Sequence, residues 1–198
     1  MNLDYPFYTN YKEIKKPHSL LVLCNKYNKL PNNFIPKNLV IIPNLFFEGE
    51  RTEKLKKTVL IHFIKMAKKA KKENIILKII SGYRTHQYQT TLYNKTVLNN
   101  GKEAADKYSA RPGFSEHETG LAIDINDTSF SFEKSQEFKW LEKNAHYYGF
   151  ILRYPQDKEH ITGYNYEPWH YRFVGIKTAN IIKKRHLTLE EYCTLYID

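Results

Sequence analysis

At 198 residues, with 41% apolar and 26% charged side chains, the chain has the size and composition of one folded α+β-sized domain and is too apolar for a disordered one. Its net charge of +10 favours anionic surroundings, nucleic acid or an anionic cell envelope; with no zinc-finger spacing and no RNA-binding aromatic signature, nucleic acid is not expected as a partner. No stretch reaches the roughly 18 apolar residues that span a membrane, and Met1-Asn2-Leu3-Asp4-Tyr5-Pro6 lacks the basic-then-apolar pattern of a signal peptide, so the sequence leaves cytoplasm and envelope both open.

Residues 1–19, polar, aromatic and proline-marked, are expected to form an arm over a domain spanning 20–198. Leu20 to Cys24 is a short apolar run that suits a strand. Between Arg51 and Lys72, Leu55, Val59, His62, Phe63, Met66, Ala67 and Ala70 recur at helical spacing, with lysines between them; His62 on the inner face is expected to pack rather than to ligate. Ile75 to Ile80 reads as a buried strand ending at Ser81-Gly82-Tyr83-Arg84-Thr85, and 85–99 as a helix. Tyr108 to Phe114 is a loop, punctuated by Pro112-Gly113. Ser135 to Tyr148 is helix-like and stops at Gly149. Phe150 to Tyr154 and the aromatic run Tyr164 to Val174 suit strands. Thr178 to Lys184 is a short amphipathic helix, and Thr188-Leu189-Glu190-Glu191 fits a capping box that starts a last helical turn. Cys24 and Cys193 have no metal-type spacing; Cys24 lies in an apolar run where a small buried thiol fits, so a bridge is not expected.

The chemistry is densest around Ser115-Glu116-His117-Glu118-Thr119-Gly120-Leu121-Ala122-Ile123-Asp124. Strand alternation turns Leu121, Ile123 and Ile125 to one side and Ala122 and Asp124 to the other. Gly120, free to take positive φ, lets the chain reverse and bring His117 over the face of Asp124. Two ligands are too few for catalytic zinc, which takes three and leaves a fourth position open. His170 is the candidate third. Glu167, three residues before it, is the candidate general base, and an irregularity near Pro168 is needed to bring the two to one site. Arg84, at a strand end, suits either a substrate carboxylate or an internal salt bridge. Gln89, one helical turn on, and Ser115 are candidate hydrogen-bonding groups.

The stretches Ser81-Gly82-Tyr83-Arg84-Thr85 with Gln89, Ser109-Ala110-Arg111-Pro112-Gly113 with Ser115-Glu116-His117, Thr119 to Asp124, Arg153-Tyr154-Pro155, and Glu167-Pro168-Trp169-His170 resemble the VanY-type D-alanyl-D-alanine carboxypeptidases. The relatives of that family include L,D-carboxypeptidases and D,D-dipeptidases. The resemblance implies a single α+β domain of the hedgehog/DD-peptidase kind, in which a central antiparallel sheet carries one catalytic Zn2+ and helices flank it. It implies His117, Asp124 and His170 as zinc ligands, Glu167 as the base, Arg84 as the group meeting a substrate carboxylate or carbonyl oxygen, and Gln89 and Ser115 as groups that orient the peptide. His86 and Glu118 fall where variable residues are expected. The implied partner is a peptidoglycan stem peptide, losing its C-terminal D-alanine to a monomeric enzyme. L,D-cleavage of tetrapeptides, dipeptidase action, a phage-type endolysin and a zinc-containing binding module are the alternatives. A carboxylate at 167 speaks against the last, because binding alone does not need it.

Overall fold

The structure is a computed structural model and describes residues 8–197; the leader-like stretch Met1 to Pro6 lies outside them. In chain order the elements are β1 (Lys12–Glu13), β2 (Asn28–Lys29), β3 (Leu39–Ile41), β4 (Lys54–Lys56), α1 (Lys57–Lys71), β5 (Ile79–Ser81), α2 (His86–Asn100) and α3 (Lys102–Tyr108). They continue as β6 (Ala122–Ile125), α4 (Gln136–Asn144), β7 (Phe150–Leu152), α5 (Glu159–Thr162), β8 (His170–Phe173), α6 (Ile176–Arg185) and α7 (Leu189–Tyr196). A four-stranded sheet of order β5-β6-β8-β7 runs antiparallel throughout and sets Asp124 opposite His170 and Ala122 opposite Arg172. Two small ribbons, β1 with β2 and β3 with β4, lie outside it. The fold is the α+β architecture that the sequence implied.

One face of the sheet is dry. Val59, Phe63, Met66 and Ala70 of α1 and Leu141 of α4 form a single apolar cluster with Ile79, Ile123, Ile125, Tyr171 and Phe173 of the sheet. His62 is half-buried and lays its ring 4.9 Å from that of Phe173, so it packs, as expected. A second cluster joins Ile151 and Val174 to Ala179, Ile182, Leu189 and Cys193, and holds α6 and α7 against the outer edge of the sheet. Cys24 and Cys193 are both free and buried.

Several boundaries differ from the sequence reading, each because backbone groups are used elsewhere. Leu20 to Cys24 is turn and irregular chain, not a strand: the carbonyls of Leu20 and Val22 accept from Arg172 Nη2 at 3.0 and 2.8 Å. Helix α1 starts at Lys57 and not Arg51, because the Glu53 and Lys54 carbonyls accept from Ile42 and Tyr83, and Lys54–Lys56 pair with Leu39–Ile41. Only Ile79–Ser81 of the apolar run beginning at Ile75 is strand. Helix α3 was not expected, and the 135–148 helix tightens into a 3-10 turn over Ala145–Tyr148 before Gly149. The capping box forms, Thr188 Oγ1 accepting from the Glu191 amide and Glu191 Oε2 from the Thr188 amide, but it opens an eight-residue helix in place of a single turn.

Candidate metal centre

Asp124 and His170 come from neighbouring positions of paired strands, and Ala122 beside them leaves room above the sheet. His117 arrives from the 3-10 turn Glu116–Thr119, which Gly120 closes in the left-handed conformation at φ +66°. Its Nδ1–H donates to the Gly82 carbonyl at 2.7 Å, which fixes the tautomer and points Nε2 at Asp124 Oδ2, 3.4 Å away. Gly82 is required there: a Cβ at this position would lie 2.6 Å from the Lys54 carbonyl oxygen. Beyond Tyr154, whose carbonyl accepts from the Glu167 amide, Pro168 and Trp169 form a turn closed by the His170 amide on the Glu167 carbonyl at 3.2 Å. That turn is the irregularity the three-residue spacing needed. It sets His170 Nδ1 3.4 Å from both Asp124 Oδ1 and Glu167 Oε2.

One ligand atom from each of His117, Asp124 and His170 lies within 4.8 Å of the others, and all three residues are buried. A tetrahedral zinc with ligands at about 2.0–2.2 Å has ligand-to-ligand edges of about 3.3–3.6 Å, which is the spacing seen between Asp124 and each imidazole. Asp124 Oδ1 is buried without a hydrogen-bond partner among the described residues. Two imidazoles, one carboxylate and an orphaned buried oxygen fit a zinc ion.

The electrostatics point the same way. Burial opposes ionisation of Asp124, yet His117, His170 and Arg84 hold its carboxyl well below the usual range. Burial, helped by Arg84, pushes His117 down, so it stays a neutral ligand. Burial also works against a charged His170, but Asp124, Glu116 and Glu167 outweigh it and raise the ring well above an ordinary histidine. The pocket calls for positive charge at His170 Nδ1, and a proton and a metal ion compete for it. Burial raises Glu167, against the pull of His170.

Arg84 is the internal salt bridge of the two readings in this structure: Nη2 donates to Asp124 Oδ2 at 2.8 Å, while Nε and Nη2 both reach Ser81 Oγ. It still borders the cleft of about 240 Å³ that Gln89, Ser115, Tyr154, Glu167 and Trp169 line. Gln89 is buried, donates through Nε2 to the Ala110 carbonyl at 2.8 Å, and leaves Oε1 without a partner among the described residues. Ser115 is buried at the rim of the 3-10 turn.

Sequence reasoning passed over three charged residues beneath the site. Glu116, Arg153 and Arg172 are fully buried; Glu116 Oε1 accepts from Arg153 Nε at 2.8 Å and Arg172 Nη1 at 2.6 Å. Burial alone would raise Glu116, but the two guanidiniums hold it far below the carboxylate range. Arg172, two residues after His170 on a strand, shares its face, and that spacing was the available signal. Glu118 was also passed over: it accepts from the Gly113 amide at 2.7 Å and pairs with His86 Nδ1 at 3.0 Å, pinning the 109–114 loop.

A pair of imidazoles with one carboxylate, open to a cleft and flanked by a further carboxylate, defines a mononuclear zinc hydrolase centre. The chain belongs to the VanY family of D-alanyl-D-alanine carboxypeptidases, whose model matches residues 52–176, and this is a family of zinc metallopeptidases. It is 43% identical over 187 residues to YodJ of Bacillus subtilis (strain 168), covering 90% of this chain and 68% of YodJ. It spans about half the length of two enterococcal D-alanyl-D-alanine carboxypeptidases that it also matches. Among solved structures, the LdcB LD-carboxypeptidase superposes with a TM-score of 0.87 at 40% identity, over 93% of this chain and 90% of that one. The VanY D,D-pentapeptidase solved with Zn(II) superposes at 0.75 and 34% identity, over 87% and 97%.

Proposed function

We propose that this chain removes the C-terminal D-alanine from peptidoglycan stem peptides. The observation that carries the proposal is the placement of Glu167 Oε2 3.4 Å from His170 Nδ1, beside three candidate ligands and on the wall of the same cleft. His117, Asp124 and His170 would hold the zinc, which when bound lowers the pKa of a water molecule and polarises a carbonyl. Glu167 does not complete the ligand set; it takes a proton at Oε2 and returns it to the departing amine. Its burial raises its proton affinity, which suits a group that must accept and then give a proton.

Arg84, with Nε and Nη2 taken, offers Nη1 to a carboxylate or carbonyl oxygen of the peptide, and Gln89 Oε1 is an acceptor for a peptide N–H. Ser115 lines the same rim. LdcB recognises peptidoglycan, which supports a stem peptide as substrate and a place of action at the wall. Among the described residues no helix is long and apolar enough to cross a membrane. The likeness to LdcB, at 0.87 against 0.75 for VanY, favours a second reading, L,D-cleavage of tetrapeptide stems.

Defined tri-, tetra- and pentapeptide stems, incubated with and without a chelator and followed by mass analysis, separate these readings. Chelator-sensitive loss of one alanine from the pentapeptide alone is expected. Loss from the tetrapeptide alone selects the L,D reading, and no release from any stem overturns the carboxypeptidase assignment.

A further inference from the structure

The position of His170 poses a question that its ligand role alone does not answer. If Nδ1 faces the metal, Nε2 carries the ring proton, and a buried N–H without an acceptor is costly. His170 Nε2 is buried and has no hydrogen-bond partner among the described residues; the same is true of Glu116 Oε2, and the two atoms lie 3.7 Å apart. Glu116 is therefore a carboxylate with a division of labour. Oε1 is anchored by Arg153 and Arg172, and Oε2 is left for the imidazole. Arg153 is itself gripped by both oxygens of Glu190, at 2.6 and 2.8 Å, so the anchor reaches through to α7. Closing 3.7 Å to a hydrogen bond takes a ring or carboxylate movement of about 0.5 Å.

We propose that Glu116 is the positioning residue of the metal centre: its Oε2 accepts the His170 Nε2–H and so fixes the tautomer and ring plane that present Nδ1 to the metal. Carboxylates behind ligating imidazoles do this in zinc sites generally, and their loss weakens metal binding about 10- to 100-fold. The proposal rests on His170 being a metal ligand, so zinc stoichiometry of the wild type is measured first. No zinc bound would overturn that reading and this one together, whereas bound zinc leaves the proposal to be decided by the variants.

Zinc affinity is then measured by competition with a chromophoric chelator for wild type, Glu116→Gln and Glu190→Gln. Glu190→Gln loosens the same buried ion cluster without touching His170, and serves as the structural control. Glu116→Gln is expected to bind zinc about 10- to 100-fold more weakly and to alter the visible spectrum of the Co(II)-substituted protein, while Glu190→Gln lowers Tm and leaves zinc affinity within about threefold. Unchanged affinity in a folded Glu116→Gln, or an equal loss in Glu190→Gln, would overturn the proposal. Should Glu116→Gln fail to fold, the 15N spectrum of histidine-labelled, zinc-loaded wild type decides. A protected, hydrogen-bonded Nε2–H on His170 supports the proposal, and metal on Nε2 or a rapidly exchanging Nε2–H refutes it.

Discussion

On one side of the β6–β8 pair lie Ile123, Ile125, Tyr171 and Phe173; on the other lie Asp124, His170 and Arg172, and both sets are buried. The apolar side is held by area removed from water, which is non-directional and tolerates swaps that conserve volume. The polar side is held by matching: each charge taken from water costs several kcal/mol unless its partners are in place. Asp124 is met by Arg84 and two imidazoles, and Glu116 by Arg153 and Arg172. One pair of strands thus serves both as a support whose residues are replaceable in kind and as a charged floor whose residues are not. Stability and chemistry are assigned to opposite faces, and substitutions on each should fail in different ways.

The largest effects belong to the polar face. His117→Ala is expected to lose both bound zinc and turnover while its circular dichroism keeps the folded signature; full zinc retention would remove His117 from the ligand set. Glu167→Ala should keep near-stoichiometric zinc and lose at least about 10²- to 10⁴-fold in kcat, the usual worth of a positioned proton carrier. Zinc lost together with activity would make Glu167 a ligand or a structural group. On the other face, Phe173→Ala removes a ring that packs 5.2 Å from that of Phe150 and 4.9 Å from His62. It should cost about 3–5 kcal/mol in urea unfolding, with zinc affinity of the folded fraction unchanged. A tenfold weaker affinity there would show that the two faces are not separable.

What the sequence disclosed follows the same division. Periodicity reports which residues turn inward, so α1, α2 and α4 and the alternation in β6 were legible, and the ordered motifs marked His117, Asp124, Glu167 and His170. Periodicity does not report where a backbone carbonyl finds its donor. The run Leu20 to Cys24 has strand composition, but its carbonyls serve Arg172, a residue about 150 positions away. Nor does a motif tell a residue that meets the ligand from one that holds its neighbour. Glu116 stood inside the most informative stretch without a role, because its partners Arg153 and Arg172 come from two other segments. Arg84 showed the converse limit: the sequence allowed a substrate contact or a salt bridge, and the structure shows the salt bridge at the edge of the cleft.

The smallest predicted effect tests how far the charged floor extends. Thr188 caps α7, and Glu190, two residues into that helix, holds Arg153 and also accepts from Asn25 Nδ2 at 3.1 Å. Thr188→Ala removes the acceptor for the Glu191 amide and half of the capping box, which should cost about 1 kcal/mol. Leu189 and Cys193 stay packed on α6, so the helix frays at its first turn without leaving the domain. Glu190 sits in that first turn. If its two hydrogen bonds to Arg153 are enough to hold it, amide exchange in Thr188→Ala will quicken only over residues 189–192, and zinc affinity will stay within about threefold of wild type, the margin set above for Glu190→Gln. If zinc binding weakens further than that, the helix cap is mechanically part of the metal centre, and the division between a replaceable support and an exacting floor has to be redrawn to include α7.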